Sequence, residues 1–482
     1  MNGTRRMALK RFYYILVFLV PFFFSCSGNQ FKRWADTEEM FYKGNYPAAV
    51  NEIRDLVNEA STKDKLLFLM EAGIILHTMG DYKKSNAAFE EADQFAQEVK
   101  KSVSKGALAF LLSDKQQNFT GENFERVLIK FYMALNCICL NDYEAAKRYF
   151  RQLDFELKEM KYEDDKYKQN LAARFLDAVL SENLGNFNDA RAQYKNLIAA
   201  APEDPDILAG RYMLAVKEQD PEDIRKYQAG SRNVLVFNNR MEPVPYRTNM
   251  GELVLFHQAG KGPIKKSRGT ILSDEGMMIA LRAAIELTIA TRGEAISTAA
   301  VIAMMGTAEN PIPVYQERDQ QAAEPAGLLL KGVPVGRTGI MNNYTETALR
   351  NYNDQYTGMV TKNVASIALK IVVAAVAANE LRKKANKASG NDPLVGCLGG
   401  FLIGAGAGKA VALTVQPDLR CWRLLPSNFQ VKRIFLEPGE YDLSIQYTHP
   451  GMKQSPVPEK VTIKPRQLLF VNFRSMSQNQ SK

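Results

Sequence analysis

Side chains that often carry chemistry are scarce in this chain. It has only three histidines and five cysteines among 482 residues. The histidines, His77, His257 and His449, lie far apart and lack the spacing of metal ligands. No Gly-x-Ser-x-Gly elbow, His-Glu-x-x-His or CxxC pair occurs. We therefore predict no catalytic residues, no metal site and no cofactor, and we expect a protein that is not an enzyme.

We expect the cysteines other than Cys26 to be free thiols. Cys137 and Cys139 are two positions apart, so on a helix they point to different faces and suit neither a mutual disulfide nor a paired metal site. Cys397 and Cys421 leave two alternatives open. They are buried free thiols, which we favour, or they form a disulfide in an oxidising compartment.

The chain also lacks a strong excess of charge. Its formal net charge is +9, and four of these charges lie in the basic start at Arg5, Arg6, Lys10 and Arg11, which leaves about +5 for the rest. A net positive charge this small does not indicate binding to nucleic acid, so we expect no nucleic-acid partner.

No hydrophobic run near the N-terminus is long enough for an ordinary membrane span. Phe12–Phe24 is apolar over 13 residues, whereas a span needs about 20. Ser25 directly precedes Cys26, which resembles a bacterial lipoprotein signal. We predict a signal peptide over residues 1–25, lipidation of Cys26 and a flexible tether over 26–30. The alternative is a single transmembrane anchor with a free cysteine.

Lipidation would place the protein in the bacterial cell envelope. Two or three acyl chains hold a protein far more firmly than one. In bacteria with two membranes, an Asp directly after the lipidated cysteine usually retains a lipoprotein in the inner membrane. In this chain Ser27 occupies that position. We therefore expect an outer-membrane lipid anchor, with the protein facing the periplasm.

A short turn motif recurs four times between residues 31 and 228. An aromatic residue follows Gly-Asn, Gly-Asp or Asn-Asp, a small residue comes three positions later, and a bulky residue four positions after that. The residues we assign to repeat packing are Gly44, Tyr46 and Ala49, then Gly80, Tyr82, Ser85 and Phe89, then Tyr143, Ala146 and Phe150, and finally Gly185, Phe187, Ala190 and Tyr194. The pattern resembles the tetratricopeptide repeat, a helix–turn–helix unit. It predicts about eight to ten helices; the alternative is a generic helical bundle.

Residues 229–482 read as a mixed α+β domain. Short β-like runs at 234–237, 253–257, 312–315 and 328–335 alternate with helical stretches at 277–305 and 344–387. Pro334 predicts an edge strand. Alternating apolar residues within 418–476 predict a small antiparallel sheet. The fold class is therefore α+β: an all-α repeat solenoid and then a mixed α/β domain.

An Ala/Gly-rich helical hairpin is predicted over 364–415. Its second arm carries Gly396, Gly400, Gly404 and Gly408, four positions apart, which on a helix form a groove for close packing. One interpretation is an element that inserts into a membrane or oligomerises. The other, which we favour, is a hairpin buried in a soluble core, because polar residues such as Lys370 and Lys409 are costly in lipid.

Four short stretches resemble a group of uncharacterised bacterial lipoproteins that have tetratricopeptide-like repeats in front and an Ala/Gly-rich domain behind. They lie at 125–146, 251–254, 418–426 and 438–441. The resemblance covers most of the chain after Cys26. It implies an envelope lipoprotein with no assigned catalytic activity, and it supplies no catalytic residues. For the cluster Arg420, Trp422 and Pro426, we favour an aromatic anchor in the core over a binding site.

The function that these observations favour is a protein-interaction scaffold. Repeat solenoids present a concave surface to peptides or proteins, so we expect an envelope protein or peptide as partner and the membrane as the site of anchoring. The first alternative is an envelope component that inserts or oligomerises through the glycine-spaced hairpin. The second is a glycan- or peptidoglycan-binding lipoprotein. Nothing in the sequence supports or excludes a homo-oligomer.

Overall fold

A computed structural model describes residues 25–103, 117–159, 170–293, 296–305, 308–318, 320–388, 415–449, 451–455 and 457–477. The described chain is α+β, which confirms the predicted fold class. Most of the predicted signal peptide and the four glycines Gly396, Gly400, Gly404 and Gly408 lie outside these ranges, as does Cys397. Cys26 lies at the start of the first helix. The predicted tether 26–30 belongs to this helix, whose Trp34 is anchored in the core.

The first half is an array of helix pairs. The described helices are α1 Ser25–Tyr42, α2 Tyr46–Glu59, α3 Lys65–Thr78, α4 Tyr82–Val103, α5 Asn123–Cys139, α6 Tyr143–Glu159, α7 Leu171–Asn183, α8 Phe187–Ala200, α9 Pro205–Glu218 and α10 Pro221–Lys226. The four recurring motifs form the turns between paired helices. Gly44, Gly80, Gly185 and Asn141 have φ between 60° and 84° there. Glycine and asparagine tolerate this left-handed conformation, so each helix ends and its partner begins at the aromatic residue.

The small and bulky motif residues pack between the paired helices. The small residues Ala49, Ser85, Ala146 and Ala190 are fully buried. Gly73 in α3 lies so close to Phe89 in α4 that a Cβ at position 73 would overlap the aromatic ring. Gly210 in α9 makes the same close approach to Tyr194 in α8. The array therefore packs as helical repeats do. A glycine in one helix leaves space that a large aromatic ring of the neighbouring helix fills.

The described strands of the second half form three sheets. The strands are β1 Val236–Phe237, β2 Gly251–Ala259, β3 Lys261–Lys266, β4 Val314–Arg318, β5 Gly327–Leu330, β6 Val333–Arg337, β7 Gly339–Asn343, β8 Asn428–Leu436, β9 Gly439–Gln446, β10 Met452–Gln454, β11 Lys460–Ile463 and β12 Leu468–Ser477. The first sheet has the order β1-β8-β2-β12-β10, and β7 also pairs with β8. The second has the order β11-β9-β5-β6, and β3 pairs with β4.

The first sheet is the middle of three layers. Strand β2 is buried along its whole length. Its Val254 and Phe256 belong to the core that includes the helical array, whereas Leu253 and Leu255 pack with the second sheet. Since successive strand residues point to opposite faces, the first sheet lies between the array and the second sheet. The two halves of the chain therefore share a core.

Some predicted elements are divided in the structure. The run 328–335 forms a hairpin, β5 and β6, because Lys331 and Gly332 turn with φ of 50° and 75°. Pro334 lies in β6, which is an edge strand of the second sheet. The C-terminal strands do not form one small sheet: β8 lies in the first sheet and β9 in the second, and the chain crosses between them at Pro438.

The described part of the second half contains four α-helices: α11 Glu275–Arg292, α12 Thr298–Met305, α13 Tyr344–Asp354 and α14 Tyr356–Ala388. The predicted helix 344–387 is interrupted at Gln355, because α13 packs on β3 and β4 whereas α14 packs on α11 and α12. Within the described residues, one helix has the length and apolar composition that a membrane span needs, namely Tyr356–Glu380 of α14. One such helix is weak evidence for a membrane span, because core helices share these properties.

Candidate functional site: the inner face of the helical array

The first helices of the three middle pairs are covered on both sides. Helices α3, α5 and α7 are buried around nearly their whole circumference, whereas the second helices α2, α6 and α8 are buried along one stripe. We call the surface of α1, α3, α5, α7 and α9 that meets the second half of the chain the inner face. Residues 418–425, which form neither helix nor strand, lie on it; we call them the docked segment.

Glu71 in α3 holds the backbone of the docked segment. One of its carboxylate oxygens accepts hydrogen bonds from Trp34 Nε1 at 3.1 Å and from the Arg423 backbone N–H at 3.0 Å. The other accepts from the Leu424 backbone N–H at 3.2 Å. Burial raises the pKa of Glu71 to about 8, although these N–H donors oppose the shift. A buried carboxyl group thus replaces the partners that an extended backbone would find in a sheet.

Glu125 in α5 continues this pattern. Its Oε1 accepts from the Trp422 backbone N–H at 2.7 Å, and its Oε2 accepts from the Glu122 N–H at 2.8 Å in a capping box. Burial raises its pKa to about 7, partly offset by the charge of Lys265. The backbone N–H groups of three consecutive docked residues, 422 to 424, are therefore all bound by two carboxyl groups of the array.

Arg420 fixes the start of the docked segment. Its guanidinium is 2% exposed and pairs with Asp64 at 2.9 Å and Asp418 at 2.7 Å. It also donates to the carbonyl oxygens of Lys63 and Gln117, each at 2.9 Å. Because a guanidinium presents several donors in a fixed plane, it can bind two carboxylates and two carbonyls together. This side chain ties the docked segment to the beginning of α3.

Trp422 is a core residue, as its sequence context favours. It is 1% exposed, and its ring lies 5.9 Å from those of Phe89 and Tyr132. It belongs to the docked segment rather than to a strand. The repeat aromatic Phe89 therefore contacts both Gly73 within its own pair and the docked segment. Arg423 adds a guanidinium 4.3 Å from the Trp34 ring.

A second group of contacts joins the array to the first sheet through buried charges. Arg433 in β8 pairs with Glu252 in β2 and with Glu182 in α7, the latter at 2.6 Å. Lys217 in α9 reaches Glu182 at 2.8 Å and Glu252 at 3.3 Å. Burial alone would raise the pKa of Glu182, but Arg433 and Lys217 outweigh it and hold that pKa at about 2. The Tyr194 hydroxyl donates to Glu182 at 2.8 Å.

His77 lies between these two groups and is part of an amide network. Its Nε2 accepts from the side-chain amides of Gln258 at 2.8 Å and Asn472 at 2.9 Å. Its Nδ1 therefore carries the proton and donates to Asn136 at 2.6 Å. Burial lowers the pKa of His77 to about 4, so the ring is neutral near pH 7. Both nitrogens are occupied, and the residue has a structural role.

The other candidates for chemistry do not converge. His257 is buried between Gln430 and Ser475, and burial lowers its pKa to about 3. Among the described residues, no group of three or more His, Cys, Asp or Glu is placed to hold a metal ion. Cys421 is a buried free thiol whose pKa burial raises to about 12. Cys137 and Cys139 are also free thiols.

A groove of about 760 Å³ lies where the array meets β7 and α13, away from the docked segment. Its charged lining includes Asp154, Arg174 and Glu346. Arg174 pairs with Asp154 and donates to Gln193, and Glu346 pairs with Arg350. These charges serve as helix contacts, and the groove lining pairs no nucleophile with a base. We therefore take the inner face, with its buried hydrogen bonds and ion pairs, as the candidate functional site.

Solved structures are similar to part of the chain. No family model and no curated protein matches the chain. The chain is similar to the Rap conjugation gene regulator of the plasmid pLS20 in complex with the Phr* peptide, at 14% identity over 42% of this chain and 53% of that one, with a TM-score of 0.27. It is also similar to a tetratricopeptide repeat protein from Parabacteroides merdae ATCC 43184, at 14% identity over 43% of this chain and 78% of that one, with a TM-score of 0.21.

The chain spans about half the length of the first of these structures. With TM-scores this low, the assignment of repeats rests on the packing within the chain itself. Membership of the bacterial lipoprotein group stays a prediction.

Sequence reasoning identified the turn residues and Trp422, but it missed the carboxyl groups that bind the docked segment. One signal was available for Glu71, which interrupts the apolar run of α3 (Lys-Leu-Leu-Phe-Leu-Met-Glu-Ala-Gly-Ile-Ile). Acidic residues are rarely buried without a partner. A lone Glu in such a run therefore indicates a buried donor elsewhere in the chain, although it does not reveal which one.

Proposed function

We propose that the protein is a lipid-anchored envelope scaffold without catalytic activity. The helical array is its interaction module, Cys26 is its attachment point, and the periplasmic side of the outer membrane is its location. The observation that supports this proposal best is the inner face, where Glu71 and Glu125 bind three consecutive backbone N–H groups of an extended segment. An array that binds its own chain in this way has the chemistry of a peptide-binding surface.

An external partner needs a different surface, because the docked segment covers the inner face. Met79, Leu140 and Leu184 are 36–40% exposed, and each directly precedes the turn of its helix pair. Repetition of the fold places them at equivalent positions along one edge of the array. We call these three residues the turn edge and propose that it contacts an envelope protein or peptide through apolar side chains.

A site-specific photo-crosslinker tests the turn edge. In cells that express the full lipidated chain, a photo-reactive amino acid at Leu140 should crosslink one envelope protein. The same label at Val333, which is 39% exposed on the second sheet, is the matched control. With both proteins purified, the pair Met79→Asp and Leu184→Asp should weaken binding at least tenfold, and Val333→Asp should not. Equal crosslinking from both positions, or unchanged binding, would refute this surface.

The anchor is tested separately. Intact mass should show lipid on Cys26, and a Cys26→Ser variant should move from the membrane to the soluble fraction. A mature N-terminus elsewhere would contradict lipidation.

The composition of α14 favours a second candidate, an envelope component that inserts through 364–415. It predicts that Cys26→Ser stays in the membrane.

A further inference from the structure

The connection between the proposed lipid anchor and the folded array is very short. Helix α1 begins at Ser25, so Cys26 already belongs to it. The side-chain amide of Gln30 donates to the Glu59 carbonyl oxygen at 3.3 Å, and Trp34 is 3% exposed in the core. As a helix, the backbone from Cys26 to Gln30 covers about 6 Å. Even fully extended, it would cover only about 14 Å.

The contact made by Gln30 lies at one end of the array. Residues 59–64 connect the end of α2 to the start of α3. The start of α5 is at the same end, because the Phe119 backbone N–H donates to the Lys63 carbonyl oxygen at 2.8 Å. We call this end of the array, formed by residues 59–64 and 117–122, the base.

The turn edge lies at the opposite end of the same helices. Met79 directly follows α3 and Leu140 directly follows α5, whereas the base precedes both helices. At 1.5 Å per residue, the 14 residues of α3 and the 17 residues of α5 separate the two ends by about 21 to 26 Å. If the base lies at a lipid surface, the turn edge therefore points away from that surface.

The charges of the base are compatible with a lipid surface. Its exposed residues include the uncharged Ser61 and Thr62. An unpaired carboxylate would be repelled by anionic lipid headgroups, but each carboxylate of the base is paired: Glu59 with Arg33, Asp64 with Arg420, and Glu122 with Lys265. The base therefore presents polar side chains without an unpaired negative charge.

We propose that the base rests against the phospholipid headgroups of the membrane that holds Cys26, with the turn edge directed away from that membrane. This proposal rests on the lipid anchor of the proposed function and adds the surface that faces the lipid. Acyl chains on Cys26 would insert into the bilayer and keep this residue at the membrane surface. A connection of at most about 14 Å then keeps the base beside the headgroups.

Fluorescence quenching in vesicles tests the base. The full lipidated chain, with a fluorescent amino acid at Thr62, is placed in vesicles of phosphatidylethanolamine and phosphatidylglycerol in which some headgroups carry a nitroxide quencher. The label at Thr62 should lose about half of its fluorescence or more, because the short connection keeps it near the headgroups. The matched control is Lys83, which is exposed near the start of α4, at the turn end. It should lose less than about a tenth, because the length of α3 separates it from the base.

Intact mass of the same protein distinguishes failure of the anchor from failure of the base. Protein without lipid on Cys26 would contradict both the anchor and the base. Lipidated protein in which Thr62 and Lys83 are quenched equally, or in which Thr62 is not quenched, would overturn the base alone and leave the scaffold function standing.

Lengthening the connection tests the cause of this orientation. An insert of about 12 Gly and Ser residues between Asn29 and Gln30 would add a root-mean-square length of about 19 Å. Quenching at Thr62 should then fall by about twofold or more, because the base can move away from the headgroups. Unchanged quenching would overturn the short connection as the reason that the base faces the lipid.

Discussion

Glu71→Gln gives the sharpest test of the inner face. The carboxyl group of Glu71 accepts from three N–H donors: Trp34 Nε1, Arg423 N and Leu424 N. Glutamine has nearly the same shape but only one acceptor oxygen. If that oxygen faces Trp34 and Arg423, the amide nitrogen meets the Leu424 N–H. In the opposite orientation, two donors lose their acceptor.

The expected loss of stability follows from the number of N–H donors that lose their acceptor. A buried donor left without an acceptor costs about 1–3 kcal/mol, so Glu71→Gln should lower the free energy of unfolding by about this amount. The chain has only two tryptophans, Trp34 and Trp422, and both lie at the docked segment. Tryptophan fluorescence during urea unfolding of the Cys26→Ser protein therefore reports directly on this contact.

The control is Glu39→Gln in α1. Its side chain is 47% exposed and pairs with Lys43 one turn away. Exposed pairs of this kind contribute less than about 1 kcal/mol, so the control should stay close to the parent. If Glu71→Gln is as stable as Glu39→Gln, the carboxyl group does not hold the docked segment, and the reasoning about the inner face is wrong.

Four further substitutions, in three experiments, test other parts of the structure. Arg433→Met should cost about 3–5 kcal/mol in urea unfolding because it leaves buried carboxylates without their main partner, and adding Glu182→Gln should recover part of that loss. Gly73→Ala should cost about 1–3 kcal/mol, since the new methyl group overlaps Phe89. The folded pKa of His77 is about 4 and its ordinary value is 6.5. Relative to His77→Gln, the parent should therefore lose stability as pH falls from 6.5 to 4, and a constant difference would contradict the neutral ring.

The local features of the array could be predicted from the sequence because they depend on neighbours along the chain. A left-handed turn residue such as Gly80 determines where one helix ends, and the spacing from Tyr82 to Phe89 determines which side chains share a face. Pro334 could likewise be placed at a sheet edge, because it has no N–H to donate to a neighbouring strand. These effects operate within a few residues, so they leave a readable pattern.

The contacts between the halves left no such pattern. Glu182 and Arg433 are 251 positions apart, and Glu71 and Arg423 are 352 apart. Read along the chain, the charges of Glu182, Arg423 and Arg433 resemble ordinary surface charges, and the apolar run around Glu71 indicates burial without revealing its partner. Their pairing depends on which apolar surfaces meet when the first sheet packs onto the array, and no spacing rule encodes that choice.

The sequence by itself therefore determined the helix pairs, their turns and the mixed character of the second half. Only the tertiary structure decided that the inner face is filled by residues 418–425 and that β8 and β9 belong to different sheets. The physical reason is that backbone conformation and helical periodicity are local, whereas burial is a property of the whole fold. Repeat arrays usually offer such a surface to a partner. In this protein, residues 418–425 of the same chain cover it.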